Sequence, residues 1–132
     1  MVIAVGASAQ NRIDSFVDNE STIGQSKFTS VVERDPQTRE VVRVVKVREL
    51  SRGIDINACL EKFEAERLRV GEQSSGMQKA GRYTHKVENG ERHTIVLAVE
   101  GERQNRIYML QYTGNRPMQA TDGKVTIVIR MK

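Results

Sequence analysis

The chain has 132 residues, 38% of them apolar and 29% charged, a composition that suits one folded domain and excludes a disordered segment or a membrane-spanning bundle. Its 21 basic and 17 acidic residues leave a net charge of +4, mixed too closely for the one-sided basic surface of most nucleic-acid binders. A single cysteine, Cys59, excludes an internal disulfide and a zinc site built on cysteines of this chain.

The chain opens MVIAVGASAQNR, an apolar run that stops at Ala7-Ser8-Ala9. Small residues at alternate positions after an apolar core mark a signal-peptidase site, because the peptidase pocket admits only small side chains there. Residues 1–9 are therefore read as a truncated leader remnant without the usual basic start, and residues 10–132 as one α+β domain. Export to the periplasm or cell envelope is the expectation. A short edge strand over VIAV is the competing reading, weakened by the lack of turn chemistry in GASAQN.

Asp14 or Ser15 is placed to cap a short helix with Ile13, Phe16 and Val17 on its apolar side. KFTSVVERD and EVVRVVKVREL flank a turn led by Asp35-Pro36, which predicts a hairpin. The second of these runs does not alternate cleanly, since Val44 and Val45 are adjacent. A β-bulge at that pair would turn Arg43, Lys46 and Arg48 outward as a basic stripe and Val42 and Val47 inward.

After Gly53, the residues Ile56, Cys59, Leu60, Phe63 and Val70 recur at helical spacing, with Asp55 as the expected N-cap. Cys59 falls on the apolar stripe, as a buried structural thiol would. GEQSSGMQKAG, residues 71–81, lacks periodicity and is read as a loop. Four strands follow, and Asn89-Gly90 signals a tight hairpin because a type I′ turn needs positive φ at both central residues. In KVTIVIRMK, Val125, Ile127, Ile129 and Met131 share one face while Thr126, Val128 and Arg130 share the other.

The histidines invite a metal or acid–base reading. With Asn89-Gly90 as a two-residue loop, Lys86 faces His93 and His85 faces Thr94, so the two imidazoles point to opposite faces of the sheet. No metal site is expected from them. The chain contains no Gly-rich phosphate loop, G-x-S-x-G elbow, H-E-x-x-H pair or C-x-x-C motif. Glu61, Glu64 and Glu66 alternate with Lys62, Arg67 and Arg69, the pattern of a solvated helix face with ion pairs. No cofactor and no catalytic residue is expected, and the protein is read as non-enzymatic. Tyr108 and Tyr112 share a face with Leu110, an arrangement of core more than of a base-stacking platform.

The A-x-A-Q start, the IDSFVDN segment and the meander GRYTHKVENGERHTIVLAVEGERQNRIYMLQYTG resemble small exported proteins of unknown function from gut Gram-negative, Bacteroides-type bacteria. That resemblance implies export and an α+β fold, and it carries no catalytic residues.

Together these readings predict an antiparallel sheet of about six strands, ordered as hairpin, helix and four-strand meander, with the amphipathic helix packed on one face. The other face, with Val96 and Val128, is the candidate partner surface, joined by Arg43, Lys46 and Arg48. The expected partner is a protein or envelope component, with a homodimer as one form of it. The alternative is a cytoplasmic nucleic-acid-binding domain that uses the basic strand.

Overall fold

A computed structural model describes residues 12–18, 27–75 and 81–132. The leader expected over residues 1–9 lies outside the described residues.

Helix α1 spans Arg12–Asp18 and is followed by the hairpin β1 (Phe28–Arg34) and β2 (Val41–Leu50). Helix α2 (Gly53–Ser75) leads into the meander β3 (Gly81–Glu88), β4 (Arg92–Glu100), β5 (Gln104–Thr113) and β6 (Asp122–Met131), with a 3₁₀ turn at Pro117–Gln119 before the last strand. The six strands form one antiparallel sheet in the order β1-β2-β6-β5-β4-β3. The two hairpin-built parts meet where the last strand closes on β2. Both helices cover the same face, so the architecture is the two-layer α+β fold that the alternation of hydrophobic residues predicts.

The core follows from two periodicities meeting. From α2, Ile56, Cys59 and Phe63 are fully buried at helical spacing. From the sheet, alternate residues Ile95 and Leu97, Tyr108 and Leu110, and Val125 and Ile127 face them. The helix α1 adds Ile13, Phe16 and Val17. The 23-residue α2 continues through Gly71 to Ser75, so the expected loop over 71–81 starts later, and residues 76–80 lie outside the described residues. Asp55 sits within the first turn of α2, where Arg52 Nε donates to its carboxylate at 2.7 Å.

Turn chemistry sets the β1–β2 and β3–β4 hairpins. Asp35 Oδ1 accepts from the backbone N–H of Gln37 at 2.8 Å and of Thr38 at 3.0 Å, an Asx turn that also holds the Asp35 carboxyl below its usual range. At the second hairpin Asn89 and Gly90 have φ of 54° and 76°, and Glu91 N–H donates to the Glu88 carbonyl at 3.2 Å. Glu91 then stands outside the ladder, because Glu88 pairs with Arg92. On β6, Gly123 leaves room for Ile56, whose side chain lies 2.9 Å from where a Cβ would be.

Candidate functional site

The face of the sheet away from the helices is the larger candidate surface, and the register assigns its residues row by row. One row runs Val31, Val45, Val128, Ile107 and Ala98 from β1 to β4. The adjacent row runs Val47, Thr126, Met109 and Val96, with Thr29 and Thr84 at its ends. Val31, on the edge strand β1, is 56% exposed and Ile107, on the central strand β5, is 40% exposed. Charged rows close the patch on both sides. Glu33, Arg43, Arg130, Asn105 and Glu100 bound the first row, and Glu49, Lys124, Gln111, Thr94 and Lys86 bound the second.

The rim is polar and incompletely paired within the chain. Arg43 Nη2 donates to Glu33 at 2.8 Å, but Arg43 Nε and Asn105 Oδ1 are buried without a hydrogen-bond partner in the chain. Beside this face, Glu49, Arg92, Gln111, Asp122 and Lys124 line part of an open depression of about 390 Å³. Its charges are of both signs, and its residues include no Ser, Cys or His that could serve as a nucleophile with a base.

The expected basic stripe does not form, which corrects the reading of β2. Arg43, Val45 and Val47 lie on the open face, whereas Lys46 and Arg48 lie on the helix-covered face with Leu50. The register from Arg43 to Leu50 is unbroken, and the irregularity falls earlier, where Val42 is left between the partners of Glu33 and Arg34. The reason is α1. Arg48, 1% exposed, donates through Nε to the Val17 carbonyl at 2.7 Å and lies over the Phe28 ring at 4.5 Å, while Lys46 pairs with Asp18 at 3.2 Å. Burial of Arg48 becomes tolerable once the C-terminus of α1 sits above it, and Asp18 at that terminus holds the half-buried Lys46. Of the five candidate residues, Arg43, Val96 and Val128 share a face, and Lys46 and Arg48 are removed from it.

The histidines require a second correction. Because Glu91 is excluded from the ladder, Val87 faces His93 and His85 faces Ile95, so both imidazoles share the helix side. His85 Nε2 and His93 Nδ1 are 3.0 Å apart, and His93 stacks on Tyr112 with centroids at 4.4 Å. The His93 pKa is lowered, first by burial and then by the neighbouring His85, with the Gly114 carbonyl acting in the opposite direction. Its Nε2 has no hydrogen bond of good geometry. Among the described residues no group of three or more His, Cys, Asp or Glu side chains comes together.

Sequence reasoning missed a buried polar clamp. Asp14, read as a cap, is 1% exposed inside α1; its carboxylate accepts from Arg106 Nη1 at 2.8 Å and from the Tyr108 hydroxyl at 2.9 Å. Glu66, read as solvated, is 1% exposed and accepts from the Arg12 backbone N–H at 3.0 Å. The one available signal was an acid set among Ile13, Phe16 and Val17. These contacts fasten α1 to the sheet and to α2, and they consume the polar groups of the interior. Tyr83, whose hydroxyl donates to Glu64 at 2.8 Å, fastens the other end of the sheet to α2.

No protein-family model, curated protein or solved structure matches this chain. Among the described residues, no helix is long and apolar enough to cross a membrane.

Proposed function

We propose that this is a non-enzymatic binding domain that seats a protein or envelope partner on the open face of its sheet. The observation that carries the reading is the apolar patch of Val31, Val45, Val128, Ile107, Met109 and Val96, framed by charged rows on the face that neither described helix covers. An apolar centre with a polar rim is the composition of recognition surfaces.

The interior supports the same reading. Cys59 is fully buried and its thiol is pushed far up by burial, which removes thiolate reactivity. The buried Asp14 and Tyr108 bond to each other and to the half-buried Arg106. Export to the envelope belongs to this proposal on the strength of Ala7-Ser8-Ala9 and the resemblance to small exported proteins.

The test places a photo-crosslinking residue at Val96 or Val128, with Leu68 on α2, itself 61% exposed, as the control position. Crosslinking in the native envelope fraction is expected to give a discrete adduct from positions 96 and 128 only. Equal adducts from all three positions, or none from the sheet, would reject the surface.

A further inference from the structure

We infer that the occupant of the open face is a second copy of this chain, packed sheet on sheet about a two-fold axis parallel to the strands. The inference rests on the surface reading above and names its partner.

Size is the first argument. Six strands about 4.8 Å apart and up to ten residues long offer roughly 24 by 33 Å, near the ~800 Å² per partner that stable interfaces bury.

Self-complementarity is the second. In the order β1-β2-β6-β5-β4-β3 the midline falls between β6 and β5. A two-fold axis there lays β6 on the β5 of the copy, β2 on its β4 and β1 on its β3, and keeps every cross-sheet row opposite itself. Val128 then meets Ile107, Val45 meets Ala98 and Val47 meets Val96, so the apolar centres of the rows stack on one another in the aligned packing of two twisted sheets, while Val31 at the margin meets Arg82.

Charge selects the copy over a different partner. The bounding rows carry both signs, so a uniformly basic or acidic partner would meet like charges. On a second copy, Arg43 faces Glu100 and Arg130 faces Asn105, whose Oδ1 lacks an intrachain donor. The unpartnered Arg43 Nε lies on the same rim.

The experiment is sedimentation equilibrium on the purified full chain, a single copy of which has a mass of 14.9 kDa. A species of twice that mass is expected. Val128→Glu and Ile107→Lys should each sediment at the single-copy mass with unchanged circular dichroism. An equimolar mixture of the two should recover the double mass, because one glutamate then faces one lysine and the second Val128–Ile107 contact is intact. Val128→Thr, which keeps the side-chain shape, serves where a charge perturbs folding and should weaken association on the order of tenfold. A wild-type chain that stays at the single mass at its highest soluble concentration overturns the dimer. A mixture that stays dissociated overturns it equally. A photo-adduct from position 96 or 128 with a different protein, beside a single-mass wild type, would sink the copy and leave the surface.

Discussion

The two faces of this sheet are made by the same strands, alternate residue by alternate residue, yet they hold charge in opposite ways. On the helix side Arg48, Asp14 and Glu66 are each 1% exposed, and hydrogen bonds hold them to the Val17 carbonyl, to Tyr108 with Arg106, and to the Arg12 N–H, respectively. On the open side the charges stand at the rim and the centre is Val, Ile and Met. Buried polar groups stabilise a fold only when paired, and the covered face binds Asp14, Arg48 and Glu66 in this way, with His93 Nε2 as its unpaired exception. The open face keeps unpaired groups at its margin and apolar surface in the middle, the pattern of a surface still to be covered.

The sharpest contrast comes from truncation. Phe63→Ala, at a fully buried site, should cost about 4 kcal/mol in urea unfolding, whereas Val128→Ala on the open face should cost about 1 kcal/mol or less in the isolated chain. Equal costs would break the comparison. Asp14→Ala leaves the Tyr108 hydroxyl without its acceptor in the interior and strips Arg106 of its ion-pair partner, and should cost about 3 kcal/mol, read by the same unfolding curve. An effect within about 0.5 kcal/mol of wild type, the range of surface substitutions, would show that α1 is not clamped by this acid.

Gly123→Ala drives a Cβ against Ile56 and should cost about 2 kcal/mol by thermal melting, while Gly90→Ala has space but sits at φ 76° and should cost less. The smallest effect is that of pH. His93 has a folded pKa below its unfolded value near 6.5, so its contribution is full above that pH and is lost as pH falls from there through the folded pKa. Melting temperature should therefore decline faster below pH 6.5 in wild type than in His93→Gln, and parallel profiles would remove the imidazole pair as the cause.

Much of the fold was legible because its signals are local. The Val125 to Met131 alternation, the helical spacing of Ile56, Cys59 and Phe63, and the turn residues Asp35-Pro36 and Asn89-Gly90 each require only neighbours in the chain. Val96 and Val128 fall on the face away from the helices for the same reason. The histidine geometry was not legible, although the turn residues were. One bulged residue, Glu91, separates a two-residue loop from the observed register, and a slip of one residue exchanges faces. The register that prevails puts Tyr83 with Leu97 and Ile95 under the helices, a gain that only the assembled layers supply.

By itself the sequence determined the class of fold, the strand-forming and helix-forming segments, and the absence of local catalytic motifs, since these depend on periodicity and on residue type. The tertiary structure alone decided that Lys46 and Arg48 turn inward, that Asp14 and Glu66 are interior acids, and that His85 touches His93. Each of these depends on which distant element lies above a strand, because a charge is stable inside only where another part of the chain brings its partner.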